Sequence, residues 1–107
     1  MNAETLKGHL DLLLLAAVEA GPAHGYAIAE TLRARSGQTF DLPEGTLYPA
    51  LHRLERARLL TSRWSELNGR RRRVYQITAK GHRALAARHH DWTAFARAVD
   101  LVVGRRR

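Results

Sequence analysis

Four consecutive arginines, Arg70 to Arg73, follow the dipeptide Asn68-Gly69, and just ahead of them runs Gly45-Thr-Leu-Tyr-Pro-Ala-Leu-His-Arg-Leu-Glu55. Guanidinium, imidazole, phenol and hydroxyl groups so clustered donate hydrogen bonds to phosphates and base edges. In the longer run the apolar residues Leu47, Ala50, Leu51 and Leu54 recur at helical spacing. About 150° around the same helix lie Gly45, Pro49, His52 and Arg56, flanked by Thr46, Tyr48 and Arg53. A short helix buried on one side and small, polar or basic on the other suits insertion into a DNA groove. Arg53 or Arg56 can donate to guanine O6 and N7, His52 and Tyr48 can reach bases or phosphates, and Gly45 lets a phosphate approach the helix N-terminus. The arginine run suits phosphate and minor-groove contacts, with two of its four side chains facing DNA because neighbours on a strand alternate faces.

Catalysis has no comparable set of residues. The sequence holds no Gly-x-Ser-x-Gly elbow, no phosphate-cradling glycine loop, no cysteine and no paired carboxylates. We therefore expect no enzyme, no cofactor and no metal; the adjacent His89 and His90 diverge by about 100° on a helix and do not readily share an ion. The 18 Lys and Arg against 10 Asp and Glu leave a net charge of +8 on 107 residues. Such a balance favours a polyanionic partner. The longest apolar run, Leu12 to Val18, is far below the ~20 residues of a membrane span. No signal sequence opens the chain, so the expected compartment is the cytoplasm.

The elements that must hold these residues follow from periodicity and punctuation. A first helix is predicted from about Ala3 to Ala20, stopped by Gly21-Pro22. It is apolar nearly all round, which calls for burial on more than one side, the second side being another subunit. A short helix from Gly25 to Arg35 turns Tyr26, Ile28, Ala29 and Leu32 inward. After an extended link over Thr39 to Leu42, the third helix is predicted from near Pro43 to near Arg58, with Pro49 marking either a bend or a late start. A hairpin spans Leu60 to Thr78 about Asn68-Gly69, with Leu60, Trp64, Tyr75 and Ile77 inward. The last helix, Ala79 to Val103, is roughly 36 Å long. On it Leu85, Trp92 and Val99 recur every seven residues, with Phe95 and Val102 at the companion positions, a coiled-coil-like seam interrupted at Arg88 and His89 and suited to homodimerisation.

The segments Gly21-Pro-Ala-His-Gly-Tyr26, Gly45-to-Glu55 and Gly69-Arg-Arg-Arg-Arg-Val-Tyr-Gln-Ile-Thr78, preceded by Asp11-Leu-Leu-Leu-Leu15, occur together in this order. With them the chain closely resembles, over essentially its whole length, the PadR-like transcriptional regulators, and with one terminal helix their smaller subgroup. The resemblance implies a winged-helix head, a C-terminal helix that crosses over a partner subunit, and a dimer that binds a palindromic operator and represses genes. It also implies release from DNA by a small aromatic or lipophilic effector. Trp92 stands at the position, counted from Ile77-Thr78-Ala79-Lys80-Gly81, where some multidrug-responsive members sandwich flat compounds.

The expected fold is thus mostly α with a small β-hairpin, residues 1–78 forming a winged helix-turn-helix domain and 79–107 a dimerisation helix. The DNA-binding set is Gly45, Thr46, Tyr48, Pro49, His52, Arg53, Arg56 and Arg70 to Arg73. The effector set is Trp92, Phe95 and His89, and the dimer set is Leu10, Leu14, Leu85, Trp92, Phe95, Val99 and Val102. The expected partners are double-stranded DNA and a second copy of the chain, with a small-molecule effector and no membrane. The alternatives are a winged-helix protein–protein adaptor and a nonspecific DNA-binding protein.

Overall fold

Sixteen apolar side chains among the described residues close into one core, drawn from every helix, from both hairpin strands and, as Leu42 and Leu59, from the links that precede the third helix and the hairpin. The computed structural model describes residues 8–104. Its elements are α1 (Leu10–Val18), β1 (Ala23–His24), α2 (Gly25–Arg35), α3 (Glu44–Arg56), β2 (Leu60–Leu67), β3 (Arg70–Ile77) and α4 (Ala79–Val103). Fully buried Leu14, Leu15 and Val18 of α1 meet Ile28 of α2, Leu51 and Leu54 of α3, and Leu60 and Tyr75 of the hairpin. All four apolar residues expected to anchor α3 are buried. The antiparallel sheet has the order β1-β3-β2, and Asn68 and Gly69 turn the hairpin with positive φ, 54° and 76°. That pair of left-handed residues is what a two-residue turn needs to match the strand twist.

Several expectations are corrected. The part of the first helix expected over residues 3–7 lies outside the described residues, and α1 ends at Val18 rather than Ala20. Leu10, Leu14 and Leu85, expected at a dimer interface, are 5%, 0% and 8% exposed within the single chain. With so little surface left they serve the subunit's own core, and Leu12, Leu13 and Ala16 form the half-exposed side of α1. Tyr26, expected inward, is 65% exposed: two residues along a helix rotate it about 200° from buried Ile28. Trp64 is 55% exposed, although it shares a strand face with Leu60. Its face is as expected, but the hairpin outruns the helices that would cover it.

Pro49 does not delay α3, which begins at Glu44 behind an extended Pro43. The bond that Pro49 cannot make would go to the carbonyl of Gly45, and Gly45 is exposed. Water can satisfy that group, which removes much of the usual penalty for an internal proline. At its other end α3 stops on Arg58 with φ 65°, closed by Leu59 N–H donating to Leu54 O at 3.0 Å. Thr78 then starts α4: its hydroxyl accepts from Gly81 N–H at 2.9 Å and donates to Arg58 O at 2.7 Å. The end of α3 and the start of α4 are thereby pinned to one point at the base of the hairpin. From Ala86 onward every described residue of α4 is exposed except half-buried Ala96.

Candidate nucleic-acid interface

Tyr48 and His52 from α3, His24, Gly25 and Tyr26 from the start of α2, and Trp64, Tyr75 and all four arginines of the hairpin border one concavity of about 620 Å³. Six residues expected from sequence to touch DNA, Tyr48, His52, Arg70, Arg71, Arg72 and Arg73, thus meet at one place. Gly45, Pro49, Arg53 and Arg56 are exposed and Thr46 is half-exposed, all on α3 outside that concavity.

Strand register sorts the arginines. Arg73 pairs with Trp64 and Arg71 with Glu66, which puts Arg71, Arg73 and Trp64 on the Tyr75 face; Arg70 and Arg72 occupy the other. The Arg71 guanidinium lies 4.7 Å from the Trp64 ring centroid and that of Arg73 lies 5.2 Å away. Stacking of this kind holds a flexible side chain without neutralising it. Arg73 is restrained further: its Nε donates to Ser62 Oγ at 2.8 Å, and its Nη2 is 3.7 Å from Glu55 Oε2. Ser62 in turn donates to the same Glu55 oxygen at 2.6 Å. Glu55 belongs to α3, so this triad fixes the hairpin against that helix and partly neutralises Arg73. Burial, and then the Glu55 carboxylate, push the Tyr75 phenol above its ordinary range, so it stays protonated beneath the triad.

Arg72 reaches the other way. Its Nη1 lies 2.9 Å from His24 Nε2, while His24 Nδ1 accepts from Ala27 N–H at 3.3 Å and so caps α2. The His24 ring stacks nearly parallel to exposed Tyr26, with centroids 6.4 Å apart. Burial, and then the Arg72 charge, hold the His24 imidazole below its ordinary value of 6.5. Arg53, expected to reach bases, donates instead to Asp11 Oδ1 of α1 at 2.6 Å. His24, Tyr26 and Trp64 border the concavity without having been expected there from sequence. The Tyr26–Ile28 spacing carries the signal for Tyr26; nothing short of the hairpin's length relative to the head carries it for Trp64.

An open groove edged by arginines, with exposed faces of a helix and a wing on either side, can cradle phosphates and admit bases to the helix. Residues 14–87 match the model of the transcriptional regulator PadR-like family. The chain belongs to this family. "Transcriptional regulator Rv3488" of Mycobacterium tuberculosis is 41% identical over 76 residues, 71% of this chain and 68% of that one. A transcriptional regulator from Clostridium thermocellum superposes with a TM-score of 0.85 at 26% identity, covering 92% of this chain and 96% of its own. A PadR family transcription regulator from Clostridium difficile R20291 gives 0.79 at 31% identity, covering 91% and 100%. The protein is accordingly a DNA-binding transcriptional regulator rather than an enzyme, and no helix among the described residues is long and apolar enough to cross a membrane.

A second, smaller pocket of about 290 Å³ lies between α1 and α4. Trp92 and Phe95 line it with His9, Leu12 and Arg88, and the His9 ring meets Trp92 edge-on at 5.0 Å. His89, expected beside Trp92 in an effector site, borders instead a neighbouring groove with His82 and Leu85. One residue along the helix turns it about 100° away, and Arg88 takes the place expected of it.

Proposed function

We propose that the protein is a homodimeric, sequence-specific repressor in the cytoplasm that reads a palindromic operator. The observation that carries this reading is the concavity between α3 and the wing, where Tyr48, His52 and Arg70 to Arg73 converge. Residues 1–78 act as the DNA-binding head and 79–107 as the dimerisation segment. α3 lies in a major groove through Thr46, Pro49, His52 and Arg56, and Gly45 lets a phosphate approach its first turn. The wing lies against the adjoining backbone, where arginines supply most of the salt-dependent affinity. Exposure supports a second copy on α4: Trp92 is 41%, Phe95 59%, Val99 40% and Val102 88% exposed. Covering such a stripe needs a complementary one, and a twofold pair provides it. Two heads so joined present their α3 helices about 34 Å apart, one turn of DNA.

The Trp92–Phe95 pocket takes a small aromatic or lipophilic effector, which releases DNA by preferring a dimer geometry that misplaces those helices. The deciding experiment is a mobility-shift titration with DNA from upstream of the protein's own gene against random DNA. Operator reading requires at least a thousandfold preference, roughly. Equal affinity for both means a nonspecific DNA binder, and no binding to either means an adaptor. Sedimentation at micromolar concentration reads the dimer, and quenching of Trp92 fluorescence by flat aromatics, lost in Trp92→Ala, reads the effector site.

A further inference from the structure

Asp11 stands on α1 between the two helices that the proposed regulator must keep in step. Its Oδ1 accepts from Arg53 Nη2 of α3 at 2.6 Å, and its Oδ2 lies 3.7 Å from Arg88 Nη2 of α4. The carboxylate is 24% exposed against 52% and 46% for its two arginines, so it is the shielded centre of the three. An acid in the first turn of α1 also favours the helix dipole. That role alone does not require arginines from two other elements to converge on it. In a chain of net charge +8, an arginine on the groove-reading helix held by a carboxylate is an arginine withheld from phosphate. Arg88 meanwhile lines the Trp92 pocket.

We infer that Asp11 is a positioning residue for which Arg53 and Arg88 compete, and that this competition couples the α4 pocket to the recognition helix. The inference rests on the readings proposed above, of α3 as the helix that meets DNA and of the Trp92 pocket as an effector site. When Arg53 turns to a phosphate, Asp11 is left to Arg88 alone. When Arg88 is drawn away toward an occupant of the pocket, Asp11 holds Arg53 more firmly and withdraws it from DNA. Pocket occupancy and DNA binding then oppose each other, and by linkage the opposition is the same in both directions.

The test is a double-mutant cycle on DNA affinity, read with both the upstream DNA and a random duplex of equal length. The random duplex suffices because attraction of Arg53 to phosphate does not depend on sequence. Asp11→Asn frees Arg53 and raises affinity about two- to fivefold, the range expected for a partly exposed ion pair. Arg88→Gln lowers affinity by a similar factor, beyond the loss given by Arg97→Gln, an equal charge change on an exposed part of the same helix. In the Asp11→Asn background, Arg88→Gln does no more than Arg97→Gln. A purely structural Asp11 gives the opposite sign, weaker binding in Asp11→Asn, and overturns the inference; so does an Arg88 effect that persists in that background. Loss of preference for the upstream DNA in the wild type counts against operator reading instead, and leaves the cycle on random DNA to decide the role of Asp11.

Discussion

The Tyr48 hydroxyl lies only 2.5 Å from where a β-carbon on Gly25 would stand, with two of its ring carbons at 2.6 and 2.7 Å. The Tyr48 side chain of α3 is thus packed directly against the first residue of α2, and Gly25 is buried beneath it. This packing sets how closely α2 and α3 approach. Gly25→Ala must expel the phenol or separate the helices, and overpacking of this kind costs about 1–3 kcal/mol. We expect a lower melting temperature and weaker DNA binding. Adding Tyr48→Ala removes the atoms that clash, so the double variant should be less destabilised than the two single costs predict together. Strict additivity by thermal denaturation would refute the contact.

The wing arginines are not equivalent. Arg71 is held by stacking on Trp64 and keeps its charge, while Arg73 shares its charge with Glu55. Arg71→Ala and Arg72→Ala together should weaken DNA binding and flatten its dependence on salt, by about 0.9 of a counterion for each phosphate no longer neutralised. Trp64→Ala should act mainly through Arg71, so its effect on affinity should shrink in an Arg71→Ala background and persist in an Arg70→Ala background. Titrations at several salt concentrations measure both. A salt slope unchanged in the double arginine variant would remove the wing from the interface.

Much of this arrangement is legible in the sequence, and the gaps have physical causes. The bounds of α2 and α4, the anchors of α3 and the Asn-Gly turn follow from periodicity and backbone chemistry, which act within a few residues. That Arg53 would meet Asp11, or Arg73 meet Ser62 and Glu55, depends on the approach of separate elements that no local spacing encodes. Trp64 shows the same limit in another form. Alternation along β2 gives its face correctly, but only the reach of the helices decides whether that face is covered.

His24 makes stability depend on pH with a definite sign. Its folded pKa is depressed, first by burial and then by Arg72, so between that value and 6.5 the unfolded chain binds more protons than the folded one. Stability is therefore full above about pH 6.5 and is lost as the solution is acidified through the folded pKa. Protonation also removes the lone pair that accepts from Ala27 N–H and sets a second cation beside Arg72. His24→Asn keeps a capping side chain without a titrating group. Denaturant melts from pH 7.5 to 5 should show the wild type losing more stability than this variant; parallel curves would argue against the coupling.

The base of the wing offers the most demanding substitution. A β-carbon on Gly81 would lie 2.1 Å from the carbonyl oxygen of Leu59 and 2.8 Å from a side-chain carbon of Ile77. The first obstacle is backbone, so it cannot rotate away as Tyr48 can. It is also backbone already committed, because Leu59 O accepts from Thr78 N–H at 3.1 Å. Gly81→Ala must therefore lift the first turn of α4 off the hairpin, where Thr78 ties it to the end of α3. Loss of the Thr78 cap alone, in Thr78→Val, should cost about 1 kcal/mol. Gly81→Ala should cost more and also change the angle at which α4 leaves the head, and hence the separation of the two recognition helices in the proposed dimer. At a temperature where the variant is still folded by circular dichroism, its preference for upstream over random DNA should fall while its affinity for random DNA changes little. Equal losses on both DNAs would mean that the glycine serves the fold alone and does not set the dimer's spacing.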